Sequence, residues 1–331
     1  MAKYHIYALG AALVDTEVSV SDQFLSGHGV EKGVMTLVEQ TRQTELLDSL
    51  DSDGFKLFRQ SGGSACNSVV AAAQLGAVGC FGGKVANDSD GKLFVSDLVQ
   101  AGVAFSSASP ATGITGKCLV MVTDDAERTM NTFLGASDDF SEAEVDHNVL
   151  IDSEWLYIEG YLQTDDRRTT VVASAINLAK KNAVKVAVSL SDPFVADLFR
   201  DNLKSIIGEG VDLVFCNKDE ALAFTETNSL ETAAEQLKTH ARTFAITNGA
   251  NGALIFDGQE LFKAPGVKAT AIDTNGAGDM FAGAFLYAIT AGKNYQTAAK
   301  LANNAAAMVV ERYGPRLEAA DFKQLKVQCA L

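Results

Sequence analysis

From residue 155 onward the chain alternates short apolar runs with helix-patterned stretches, and this alternation limits its fold more than any other feature. Strands are expected at 155–159, 184–189, 213–216, 244–247 and 253–256, and helices at 167–181, 193–207, 218–223, 230–240, 280–289 and 295–313. A strand that is followed by a helix and then another strand returns to the same edge of a sheet. The result is a mostly parallel α/β sheet with helices on both faces. Upstream, 4–9 reads as a buried strand ending at Gly10 and 78–85 as another, with helices at 67–75, stopped by Gly76, and at 88–102. Two extended runs, 115–123 and 127–134, are split by the polar turn at Asp124 and Asp125. Residues 15–60 are more polar and broken by Gly27, Gly29 and Gly33, as expected of an excursion from the main fold. No repeat or low-complexity linker marks a boundary, and 331 residues suit one large α/β domain.

The formal charge of −15 argues against nucleic acid or an anionic membrane as partner, because both reward clustered Lys and Arg. It leaves phosphate ligands open, since backbone amides hold them. Five scattered cysteines, odd in number and without a CxxC pair, fit reduced thiols in a cytoplasmic protein. Four scattered histidines make a His/Cys metal site a poor fit. The N-terminus lacks a signal-peptide layout, and no apolar run approaches a membrane span. A GxxxxGK[ST] string and a GxGxxG after the first strand are both missing, which disfavours Walker-type NTPases and dinucleotide dehydrogenases.

The chemistry concentrates at residues 273–279, Asp-Thr-Asn-Gly-Ala-Gly-Asp, between an expected strand at 268–272 and the apolar helix. Gly276 and Gly278 flank Ala277 and leave amide N–H groups unshielded at a helix start, where free donors and the helix dipole favour an anion. A carboxylate, Asp279, stands at the mouth of that anion site. The pairing suits phosphoryl transfer, in which a base takes a hydroxyl proton while amides hold the transferring group. The plainer reading is a strand-to-helix turn with Asp279 as an exposed helix-start residue.

Other stretches carry the same double reading. Gly62, Gly63 and Asn67 open a helix; they make either a close-approach site for a hydroxyl-rich ligand or a glycine turn. Asp15 follows the first strand as a ligand group or a solvated loop residue. Asn217 and Glu220 hold a hydrated Mg²⁺ or simply cap a helix, and both can be true at once. Thr247, Gly249 and Gly252 lie in a loop between two short strands, a natural hairpin. Arg128 is either a phosphate-reaching flap residue or an exposed turn arginine.

Residues 273–279 resemble the second signature of the ribokinase/PfkB family of small-molecule kinases, and Gly-Gly-x-x-x-Asn at 62–67 looks like its first. The resemblance runs from Asp15 to about Arg316. It implies a three-layer α/β/α sandwich forming a single domain over 1–331, with a small β lid from about 15–55 and 109–135 and a nucleotide site within about 213–316. Lid closure would keep water from accepting the phosphoryl group. The resemblance also implies Asp279 as catalytic base and Gly276, Ala277 and Gly278 as the anion hole. Asp15, Gly62, Gly63 and Asn67 would bind the sugar. Asn217 and Glu220 match an N-x-x-E motif, with Mg²⁺ held at Glu220 through water. Thr247, Gly249, Gly252, Thr274, Arg128 and Asn303 fall on the ATP side, Asn303 near the adenine with Asn304 as its competitor. Some members bind K⁺ beside the position of Asp273.

The 47 positions from Asp15 to Gly62 resemble the longer insertion of the family's adenosine-kinase branch, as does Gly-Gly-Ser-x-x-Asn-Ser at 62–68. Ser189 to Phe194 resembles that branch's NLSAPF, with Ser for Asn and Asp for Ala. A nucleoside phosphorylated at its 5′-hydroxyl is the expected substrate. Ribose, fructose or 2-keto-3-deoxygluconate is the alternative, and a non-catalytic nucleoside or sugar sensor is the alternative of another class. Phe24, Leu37 and Phe133 are candidates to clamp a base. The expected state is a monomer or homodimer.

Overall fold

The computed structural model describes residues 2–107, 110–208 and 210–329. Its strands are β1 (Tyr4–Leu9), β2 (Leu13–Ser19), β3 (Met35–Leu37), β4 (Phe58–Gly62), β5 (Gly79–Gly82), β6 (Val103–Ser106), β7 (Gly116–Val122), β8 (Arg128–Phe133), β9 (Ser153–Ile158), β10 (Lys185–Ser189), β11 (Val211–Asn217), β12 (Ala241–Thr247), β13 (Ala253–Phe256) and β14 (Leu261–Ala264). The helices are α1 (Asp22–Gly27), α2 (Gln40–Ser52), α3 (Ser64–Leu75), α4 (Ser89–Gln100), α5 (His147–Ile151), α6 (Asp166–Lys181), α7 (Pro193–Leu198), α8 (Arg200–Ile207), α9 (Lys218–Thr225), α10 (Leu230–Leu237), α11 (Ala277–Thr290), α12 (Tyr295–Val309) and α13 (Ala319–Cys329).

The main sheet runs β14-β13-β12-β11-β10-β9-β1-β5-β6, parallel from β12 to β6 and antiparallel at β13 and β14. Both its faces are buried, so its strands read as continuous apolar runs. Along β1, Ile6 and Ala8 enter the core under α3, α11 and α12, whereas Tyr7 and Leu9 enter the opposite core with α6 and α10. Trp155 and Tyr157 part from Leu156 and Ile158 in the same way on β9. The expected α/β class with helices on both faces is what forms.

A second sheet, β3-β8-β7-β2-β4, stands apart from the first. Its outer face packs Val18, Val20, Leu119 and Met121 against Phe24, Leu25, Leu46 and Leu50 of α1 and α2. Its inner face carries Leu13, Cys118, Val120 and Met130. The stretch 15–60 is therefore not irregular: it supplies β2, β3, β4 and two helices. Its polarity hid β2, because Asp15, Thr16 and Glu17 are buried there beside apolar neighbours, and the strand shows no two-residue alternation.

Two further expectations differ from the fold. Residues 268–272 form no strand. That segment is exposed and satisfies its backbone at the end of α12, with Thr270 N–H donating to Glu311 (3.0 Å) and Ile272 N–H to the Val310 carbonyl (2.7 Å). The helix expected at 193–207 is two, α7 and α8, divided at Phe199, whose φ of −112° and ψ of 27° leave the helical region.

Candidate active site

The carboxyl ends of the main-sheet strands open into a cavity of ≈ 510 Å³ beneath the second sheet, within the usual size range for small-ligand sites. Ala11, Glu159, Ser189, Asn217 and Thr247, lying at or just beyond the ends of β1, β9, β10, β11 and β12, line it. Ligands of open α/β sheets gather at this edge.

The first turn of α11 lies at the centre of the cavity. Gly276 is the residue before the helix, with φ of +72°, and a Cβ there would strike Pro315. Only glycine meets both demands. Gly276, Ala277, Gly278 and Asp279 all line the cavity, and at Gly278 a Cβ would meet nothing within 4 Å. Ala277 N–H donates to the Thr274 carbonyl at 3.4 Å, while the helix start, where unpaired N–H donors gather, opens on the cavity. The half-buried Asp279 carboxylate accepts from Ser64 Oγ at 2.6 Å and from Asn67 Nδ2 at 3.3 Å. Burial pushes its pKa above the ordinary aspartate value, while Ser64, Arg128, Asn67 and Arg316 pull it back.

The glycine pair at 62–63 is fixed by its neighbours. A Cβ on Gly62 would land on the Asp15 carboxylate, and one on Gly63, with φ of +93°, on the Ala11 carbonyl. Asp15, Gly63 and Asn67 line the cavity, whereas Gly62 lies behind Asp15 and supports it. Burial raises Asp15 to about 7 against the pull of Arg316.

On the far side, Asn217 and Glu220 form a reciprocal cap at the start of α9. Glu220 N–H donates to Asn217 Oδ1 (2.8 Å), and Asn217 N–H and Nδ2 donate to the Glu220 carboxylate (3.0 and 2.6 Å). Both also line the cavity, so the capping reading holds without removing Glu220 from the site. Burial raises Glu220 to about 8. Thr247, Gly249 and Gly252 follow β12 along the wall. Gly252 is glycine for packing reasons, since its φ is +86° and a Cβ would strike the Ala264 carbonyl. Asn303 lines the cavity and donates to the Pro265 carbonyl at 3.0 Å. Asn304 instead donates to the Lys300 carbonyl and is not part of this wall.

Arg128, at the start of β8, projects into the cavity and lies in the field of Tyr161, Asp279, Asp192 and Glu220, so it is not an exposed turn residue. Thr274 lines the cavity and its Oγ1 donates to the Ala126 carbonyl (3.2 Å) in the β7–β8 turn, tying the second sheet to the turn before α11. Asp273 lies beneath that loop, fully buried, with Oδ1 accepting from Asn275 N–H (2.8 Å) and Oδ2 from Gly314 N–H (2.9 Å). Among the described residues no cluster of three or more His, Cys, Asp or Glu suits a metal ion. A divalent cation would therefore rely on phosphates and water, and Glu220 at the wall fits that arrangement.

Of the candidate clamp residues only Leu37 reaches the cavity. Phe24 is packed on Phe55 at 5.5 Å, and Phe133 lies outside the lining, where Leu134 is found. Tyr161 is an aromatic wall residue that gave no sequence signal. Glu159 was also missed. It is buried, accepts from Ala11 and Ala65 N–H at 2.7 and 2.8 Å, and is raised by burial to about 7. A carboxylate ending an apolar strand was the sign available.

All five cysteines are buried and unpaired. Among the described residues no helix is long and apolar enough to cross a membrane.

The pfkB family carbohydrate kinase model matches residues 35–321. The chain is 27% identical to an adenosine kinase of Schizophyllum commune, with 99% of each protein covered. Among solved structures, the adenosine kinase of Sinorhizobium meliloti is 34% identical with a TM-score of 0.91, covering 98% of this chain and 99% of that one. A probable sugar kinase of Rhizobium etli is 31% identical with a TM-score of 0.92, covering 100% and 99%. The fold is thus ribokinase-like, and the chain belongs to the pfkB family of carbohydrate kinases, phosphotransferases acting on small nucleosides or sugars.

Proposed function

We propose that the protein transfers the γ-phosphoryl group of ATP to the 5′-hydroxyl of a nucleoside, with adenosine the first candidate. The observation that carries this reading is the division of the acceptor side of the cavity. Asp15 and Asn67 offer polar groups at its floor, while Leu13, Met35, Leu37, Cys118, Val120 and Met130 of the second sheet cover it with apolar surface. A ribose over the first and a flat base under the second would bury both kinds of surface well. A free sugar would leave the apolar ceiling without a partner.

In this reading Asp279 takes the proton of the attacking hydroxyl, and the amides of 276–278 hold the developing charge on the phosphoryl oxygens. Arg128 reaches the same group from the second sheet, which acts as a lid that excludes water. The nucleotide lies along Asn217, Thr247, Gly249, Gly252, Thr274 and Asn303. Mg²⁺ would be held through water at Glu220 and would supply charge neutralisation for the ATP phosphates. K⁺ beside Asp273 belongs to the same proposal. Glu17 is buried against Asp273 and raised to about 9, by burial first and Asp273 second. A monovalent cation there would replace the proton that this carboxylate pair otherwise needs. The outer face of the lid is already covered by α1 and α2, which favours a monomer over a homodimer paired through that face.

Turnover of purified protein with ATP, Mg²⁺ and K⁺ on adenosine, inosine, guanosine, cytidine, ribose, fructose and 2-keto-3-deoxygluconate tests the reading. Turnover on a nucleoside supports it. Turnover on a free sugar alone replaces the substrate while keeping Asp279. Nucleoside binding without any turnover points to a sensor.

A further inference from the structure

The segment after α12 reaches the acceptor site through three successive residues. Gly314 N–H donates to Asp273, Pro315 closes over Gly276, and Arg316 turns inward beneath α3. The Arg316 side chain is 11% exposed and uses its whole fork. Nε donates to Asn67 Oδ1 at 3.2 Å, Nη1 to Asp97 Oδ2 at 2.9 Å, and Nη2 to Ser61 Oγ at 2.8 Å and to the Ser61 carbonyl. Asp97 also accepts from Ser61 N–H at 2.9 Å, so α4, β4, α3 and the C-terminal segment meet at one guanidinium.

The contact to Asn67 has a chemical consequence. An amide side chain can point its oxygen or its NH₂ toward a given neighbour. With a guanidinium on one side, the oxygen must turn to Arg316, and the NH₂ then faces Asp279, as found at 3.3 Å. The same cation faces Asp15 and Asp279.

We propose that Arg316 is a positioning residue for the acceptor, fixing the Asn67 amide and setting its cation opposite the Asp15 and Asp279 carboxylates without touching substrate. This rests on the kinase reading above. The other charged groups around this pair include Glu17 on β2, Arg128 on β8, Glu159 after β9, Glu220 on α9 and Asp97 on α4.

The test compares wild type, Arg316→Gln and Arg316→Lys on whichever acceptor the wild type turns over, so an inactive wild type rejects the kinase reading and not this one. For Arg316→Gln the acceptor KM should rise about tenfold, while ATP affinity by calorimetry stays within about twofold. The acid limb of kcat/KM should move up by about one pH unit, since the cation facing two carboxylates is gone. Arg316→Lys keeps the charge without the fork, so the limb should return while KM stays raised. If the Gln variant does not fold, Asp97→Asn releases the guanidinium from its anchor and should raise the acceptor KM without an upward shift of the limb. A folded Gln or Asn variant with wild-type acceptor KM overturns the proposal, as does a Lys variant that leaves the limb displaced.

Discussion

Ser64 Oγ donates a 2.6 Å hydrogen bond to Asp279 Oδ1 from a helix that begins 215 positions earlier in the chain. The starts of α3 and α11 therefore meet at one carboxylate, with Asn67 Nδ2 on its other oxygen. Such donors favour the ionised form and offset the burial that raises Asp279. Asp279→Asn should lower kcat by about 10²–10⁴-fold while acceptor affinity, measured calorimetrically, stays near wild type. Unchanged turnover removes Asp279 as the base. Ser64→Ala should shift the acid limb of kcat upward, because one stabiliser of the carboxylate is lost.

The glycines of the anion loop separate folding from function. Gly276 has φ of +72° and no room for a Cβ, so Gly276→Ala should destabilise the protein by about 1–3 kcal/mol. Gly278 has open space at its Cβ and lies within the helix, where alanine is favoured by about 0.5–1 kcal/mol. Gly278→Ala should thus melt at or above the wild-type temperature yet, in the proposed reading, lose ATP turnover, because its methyl would enter the space assigned to phosphate. A Gly278→Ala enzyme with wild-type KM for ATP would falsify the anion-hole assignment.

The sequence exposed the main sheet well because its strands are buried on both faces and read as plain apolar runs between helices. It exposed the α11 turn for a different reason: Gly276 and Gly278 solve a backbone problem that leaves a local signature. The second sheet was hidden wherever function overrides pattern. On β2, Asp15 and Glu17 are polar yet buried, because one faces the cavity and the other faces Asp273. The short strands β6 and β14, and α13, gave no expectation either. Glu159, Ser64 and Arg316 act through contacts between segments far apart in the chain, and such contacts have no local pattern to read.

Stability should fall as pH rises from about 5 to about 9. Asp15 and Glu159 are raised from 3.8 and 4.5 to about 7, Glu220 from 4.5 to about 8 and Glu17 from 4.5 to about 9, all chiefly by burial. Between the ordinary and the raised values the folded chain holds more protons than the unfolded one. Their contribution is thus full below about 4 and is lost as pH passes the raised values. Asp88, Asp90 and Asp97 are lowered despite burial, through hydrogen bonds and cations, and weaken the fold only below about 4. Calorimetric melting across pH 4–9 should peak near 5, and a melting temperature that climbs steadily to pH 9 is incompatible with these buried carboxylates.

In the proposed reaction Arg128 links the second sheet to the transferring phosphoryl group. It sits on β8, and the β7–β8 turn beside it is held to the turn before α11 where Thr274 Oγ1 meets the Ala126 carbonyl. Its charge faces Asp279 and Glu220 across the cavity, so a phosphate entering between them would gain a cation without moving the main sheet. Arg128→Gln should leave the melting temperature within about 2 °C, since the residue supports no core packing. If Arg128 contacts the transferring group as proposed, the variant should lower kcat by about 10²-fold or more with the acceptor KM little changed. Arg128→Lys should recover only part of kcat, as a point charge lacks the two-pronged fit to phosphate. A loss confined to acceptor KM would instead assign Arg128 to the acceptor pocket.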